Sequence, residues 1–174
     1  QSQALTESAQ AVDPGLTADD RTAIREKAKG KKTLAYEYIE RSLEEREHAR
    51  GRYRLGELYM ADRNYEEAIP QFEKAIEANL GNKVRELTAG AAYMLGVSHF
   101  NLAQYDEAEP AFAQAIKTNP KGFEAHFMQG RVRLRNKQYA EAVYHLEAAL
   151  QLNPTYGAAQ RYLKSAKTQL TKEQ

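Results

Sequence analysis

The chain contains no cysteine and no tryptophan. Without cysteine it has no disulfide framework, no thiolate nucleophile and no sulfur-ligated metal site. An excess of one charge is missing too. The 25 Lys and Arg nearly match the 24 Asp and Glu, for a net +1 at pH 7. That balance gives no bulk electrostatic case for nucleic-acid or membrane-surface binding. No apolar run approaches the roughly 18 residues that a membrane-spanning helix needs.

Short chemical signatures are equally scarce. His48, His99, His126 and His145 include no pair at i, i+4 spacing, the arrangement that places two imidazoles on one helical face toward a metal. The stretch "KGKKT" (Lys29 to Thr33) resembles the tail of a phosphate-binding loop. However, Arg25 stands where the upstream glycine belongs, and Lys32 where Ser or Thr is needed. It reads as a helix boundary with solvated lysines. Asp and Glu are plentiful, but on helices this charged they read as solvated faces or i, i+4 partners of Lys and Arg. "RVRLRNK" (Arg131 to Lys137) is too short a basic run for a nucleic-acid stripe. The residues therefore indicate no enzyme, no cofactor and no metal.

What the sequence does have is repetition, in "NYEEAIPQFEKAI", "QYDEAEPAFAQAI" and "QYAEAVYHLEAAL". Aligned on Tyr65, Tyr105 and Tyr139, their flanks align as well. Gly56, Gly96 and Gly130 lie nine residues before each tyrosine. Ala68, Ala108 and Ala142 lie three after, Phe72, Phe112 and Leu146 seven after, and Ala75, Ala115 and Ala149 ten after. Each unit reads as two helices around a short turn. The first spans about 49 to 62 in the first unit, and the second starts near Tyr65. The small residues allow two antiparallel helices to approach, while Tyr59 and Phe72 fill the sides.

Pro70 and Pro110 fall early in the second helices. A start near residue 66 or 67 puts Pro70 at the limit of what a helix N-terminus tolerates. Asn119-Pro120 and Asn153-Pro154 are stop signals, in which asparagine tolerates a left-handed backbone and proline prevents continuation. The tyrosines are 40 residues apart in the first interval and 34 in the second. The extra six fall in "NLGNKVRELTAG". Val84, Leu87 and Ala91 continue a helical period backward from Leu95, so the middle unit's first helix is expected to be longer by about a turn and a half. Its end is expected to project near residues 81 to 88.

The set Leu-Gly, Tyr, Ala, Phe, Ala, Pro at these spacings resembles the tetratricopeptide repeat over residues 49 to 154. The resemblance implies an all-α solenoid of helix-turn-helix units. The expected organisation is a flexible segment at 1–15 and a degenerate helical pair at 16–48, with Gly30 breaking its pattern. Units follow at 49–82, 83–122 and 123–154, then a capping helix and tail at 155–174. Tyr156, Ala159, Leu163, Ala166 and Leu170 form that helix's apolar stripe.

One further stripe runs along the first helices at i, i+4, i+7, i+8. It comprises Tyr53, Glu57, Met60 and Ala61, then Tyr93, Val97, Phe100 and Asn101, then Phe127, Arg131, Leu134 and Arg135. The resemblance implies that Tyr53, Glu57, Tyr93, Val97, Phe100, Asn101, Phe127, Arg131 and Arg135 line a concave groove where a protein or peptide partner binds. Chaperone-binding members of the family clamp an acidic peptide with Lys, Asn and Arg. The matching residues here are Tyr53, Glu57, Met94, Glu124 and Met128, none of which fits. The expected function is thus a non-catalytic scaffold or adaptor. The alternative is a self-associating structural protein or an assembly factor of a bacterial cell envelope. A chain beginning at Gln1 motivates that alternative, as a processed product. The compartment expected is the cytoplasm, or the cell envelope if a leader has been removed.

Overall fold

The computed structural model describes residues 29–30, 33–34, 49–79 and 84–173. The chain divides into two compact units, 1–46 and 47–174. The expected flexible segment at 1–15 and most of the expected pair at 16–48 lie outside the described residues. Within the first unit, residues 29, 30, 33 and 34 are helical. Thr33 Oγ1 donates to the Lys29 carbonyl at 3.1 Å. Gly30 is therefore helical, as a single glycine costs a helix only about 1 kcal/mol.

The second unit contains seven α-helices among the described residues. They are α1 (Ala49–Ala61), α2 (Tyr65–Asn79), α3 (Arg85–Asn101), α4 (Tyr105–Thr118), α5 (Phe123–Arg135), α6 (Tyr139–Leu152) and α7 (Gly157–Glu173). Successive helices pack as antiparallel pairs, α1 on α2, α3 on α4 and α5 on α6, with α7 against α6. In α2, Ala68, Phe72, Ala75 and Asn79 are all buried, the stripe that 3.6 residues per turn places on one face. Glu66 and Glu67 occupy its first turn, where the helix dipole favours negative charge.

The glycines mark the helix crossings. A Cβ on Gly56 would lie 2.7 Å from the Phe72 ring, one on Gly96 2.7 Å from Phe112, and one on Gly130 2.7 Å from Leu146. The three bulky partners are fully buried. Each pair thus has its backbones as close as the absent side chain allows, which explains the fixed interval between these glycines and the apolar residues.

Three expectations change in the structure. The second helices begin at Tyr65 and Tyr105, because the Ala68 and Ala108 N–H groups already bond the carbonyls of Asn64 and Gln104. Pro70 and Pro110 are therefore the sixth residues of α2 and α4, beyond the turn that lacks partners. Each removes the donor for the carbonyl four residues back, on Glu66 and Asp106. Both of those residues are exposed, so water can take the donor's place.

The left-handed backbone also falls elsewhere. Asn119 (φ −129°, ψ 88°) and Asn153 (φ −140°, ψ 87°) are extended, as the following proline demands. Arg63 (φ 60°), Ala103 (φ 58°) and Lys137 (φ 58°) are left-handed instead, each two residues before a repeat tyrosine. The Gln104 N–H reaches the His99 carbonyl at 2.9 Å and the Ala103 N–H the Phe100 carbonyl at 3.1 Å, the paired bonds of a Schellman cap. Asn64 and Arg63, and Gln138 and Lys137, repeat the pattern at the ends of α1 and α5.

Finally, α3 has 17 residues where α1 and α5 have 13, a difference of four, or about one turn. Residues 81–83 of the expected projecting end lie outside the described residues. The rest of that end is tied down. Buried Asn79 donates from Nδ2 to the Val84 carbonyl at 2.6 Å and to Thr88 Oγ1 at 2.7 Å.

Candidate partner-binding face

The first helices form one continuous face, since α1 touches α3, α3 touches α5 and α5 touches α7. The backbones of the second helices α2, α4 and α6 stand farther apart from one another than those of the first helices. A stack held tighter along one row than along the other curves toward the tighter row, so the α1–α3–α5 face is the inner one.

Tyr53 and Tyr93 are half-buried on this face. The Tyr53 ring meets Phe72 edge-on, with centroids 5.8 Å apart, and the Tyr93 ring meets Phe112 at 5.9 Å. Both also help pack their helix pairs, a second role that their spacing did not reveal. Burial pushes both phenol pKa values upward, and the carboxylates of Glu57 beside Tyr53 and Glu124 beside Tyr93 push them further. The two rings contribute to a recess of about 590 Å³ whose floor includes Ala89, Gly90 and Met94 and whose rim includes Arg85, Glu86 and Glu124. Arg85 and Glu86 belong to the extra turn of α3. That turn thus also forms a wall of this recess.

The charged residues of the expected stripe divide. Glu57 is held by Arg54 at 2.7 Å. Asn101 is exposed, and its Nδ2 donates to the Val97 carbonyl at 2.8 Å. Val97 is half-buried against the core. Phe127, expected on the open face, is 6% exposed. The cap covers it, with Tyr156 at 5.0 Å and Tyr162 at 5.6 Å, both edge-on. Arg131 is enclosed as well. Its guanidinium lies 4.4 Å from the Phe100 centroid, 5.2 Å from Tyr162 and 5.6 Å from Phe127. Three rings around one delocalised cation make this a clasp between α3, α5 and α7. Arg135 remains exposed, beside a smaller recess of about 310 Å³ shared with Tyr139 and Tyr162.

The third unit also has a partly buried polar layer. Arg133 of α5 donates to Glu109 of α4 at 2.7 Å and to Gln138 at 2.8 Å. The rings of His126 and His145 stand 5.8 Å apart, a pairing across helices that sequence spacing cannot show. His145 is held down to about 4, first by burial and then by His126 and Arg133, with Glu141 opposing. Gln129 takes the place of Leu55 and Leu95 and is 2% exposed. Its Oε1 has no hydrogen-bond partner among the described residues.

These features define a class: a helical solenoid with a half-open aromatic inner face, the fold of a protein-interaction scaffold. A family model described as tetratricopeptide repeat matches residues 47–121, and another of the same description matches 93–157. The chain belongs to the tetratricopeptide repeat family, whose members are generally non-catalytic interaction modules. No curated protein matches the chain. Similar solved structures include the first TPR domain of Spaghetti (RPAP3) bound to the HSP90 peptide SRMEEVD, at 23% identity over 71% of this chain and 93% of that one, TM-score 0.65. The second TPR domain of human RPAP3, in complex with the HSP70 peptide SGPTIEEVD, is 25% identical over 64% of this chain and 88% of that one, TM-score 0.58. The MamA protein is 20% identical over 84% of this chain and 78% of that one, TM-score 0.73. Among the described residues, no helix is long and apolar enough to cross a membrane.

Proposed function

We propose that the protein is a non-catalytic adaptor that docks a polypeptide segment of a partner on the α1–α3–α5 face. The observation that carries this reading is the recess itself. Half-buried Tyr53 and Tyr93 face a space of about 590 Å³ where a monomer alone leaves apolar surface wet, and aromatic rings of this kind dominate recognition surfaces. The two RPAP3 structures were solved with acidic peptides, but Glu57 and Glu124 stand here at the clamp positions and repel such a carboxylate. The partner is therefore of another kind.

The test is site-specific photo-crosslinking. A photoreactive residue at Thr118, on the recess rim, is expected to trap a polypeptide in the native host. One at Tyr144, which is 67% exposed on α6, is not. Adding Tyr93→Ala should remove the Thr118 adduct while helical content stays constant. Adducts only from Tyr144, or an adduct indifferent to Tyr93→Ala, would overturn the reading.

A further inference from the structure

Gly90 stands apart from the repeat glycines. Gly56, Gly96 and Gly130 are enforced by rings or branches 2.7 Å from a Cβ. The nearest atoms a Cβ on Gly90 would meet belong to the Tyr53 phenol, at 3.5 Å, which is ordinary contact. No glycine among the described residues has a positive φ, so the backbone does not require it either. In mid-helix, glycine instead of alanine costs roughly 1 kcal/mol. The folded chain gains nothing from this glycine. What it leaves is a recess floor without a side chain, beside Tyr53 and Tyr93.

The rim supplies the sign of the charge. Among the described residues, the charged ones lining the recess are Arg85, Glu86 and Glu124, one positive and two negative. Glu86 and Glu124 are exposed and form no ion pair among the described residues. A carboxylate entering this space meets like charge, whereas a cation on an aliphatic stem meets aromatic rings below and carboxylates above.

We propose that this recess takes a lysine or arginine side chain of a partner polypeptide, its stem over Gly90 against Tyr53 and Tyr93 and its charged head at Glu86 and Glu124. This rests on the reading of the face as a docking surface and assigns its chemistry. The six-residue lengthening of the middle unit then has a role, because it contributes Glu86.

Two end-blocked peptides with one Leu-Ala core, one carrying arginines and the other glutamates, test this by NMR titration of the whole chain. The arginine peptide should shift the resonances of Gly90, Tyr53 and Tyr93. Glu86→Gln with Glu124→Gln should weaken it about tenfold. Gly90→Ala should weaken it severalfold while raising the melting temperature, a combination that loss of folding cannot produce. If the glutamate peptide shifts these resonances equally, or the double variant binds the arginine peptide unchanged, the charge assignment fails and the docking face stands. If neither peptide moves them, both readings fail.

Discussion

The ring of Phe112 lies 2.7 Å from the point a methyl group on Gly96 would occupy. Phe112 is fully buried, so it cannot swing clear. Overpacking a filled core costs about 1–3 kcal/mol, which outweighs the roughly 1 kcal/mol an alanine adds to helix propensity. Gly96→Ala should therefore lower the unfolding free energy in urea by about 1–2 kcal/mol, and Gly90→Ala, with no such ring, should not.

Gln129 gives the opposite prediction. Its buried Oε1 lacks a hydrogen-bond partner among the described residues, and an unmade bond of that kind costs roughly 1–3 kcal/mol. Leucine fills the equivalent place in the other two units. Gln129→Leu is expected to raise the urea midpoint, with about 1–2 kcal/mol gained at an unchanged slope.

Ala103 pays the left-handed penalty in a Schellman cap. Such a backbone costs a residue with a Cβ roughly 1–2 kcal/mol, part of which glycine returns through its freedom in the unfolded chain. Ala103→Gly should stabilise by about 0.5–1 kcal/mol, and Ala103→Val should destabilise, both readable as shifts in melting temperature.

Acid should loosen the third unit. The His145 ring sits at about 4 in the fold against an ordinary 6.5 unfolded. The unfolded chain thus binds the proton first as pH falls. Stability from this group is whole above pH 6.5, declines between 6.5 and 4, and is lost below. Because the ring is partly exposed, the loss is on the order of 1 kcal/mol. His145→Gln should flatten unfolding free energy across that window. His126, Arg133 and Glu141 face the ring, so Arg133→Gln should shift the midpoint upward.

Much of this fold was legible because its repeat is a packing rule. Gly56 with Phe72, Gly96 with Phe112 and Gly130 with Leu146 are pairs that sequence spacing can expose. The left-handed turns were not legible, since Arg63, Ala103 and Lys137 carry no glycine to mark them. On the inner face, helical period put Tyr53, Tyr93 and Phe127 in one row. Period cannot say that α7 returns to cover Phe127, or that three rings then close on Arg131. Those contacts join residues 31 or more positions apart between Arg131 and Phe100 or Tyr162, and only the folded chain brings them together.

The cover over Phe127 has a consequence for assembly. A solenoid whose last apolar edge stays open can grow, each copy seating its first helix on the previous copy's end. Here α7 already occupies that edge, fastened by Tyr156, Tyr162 and the Arg131 clasp. Any partner or second copy seeking this edge of the α5–α6 pair must first peel α7 away.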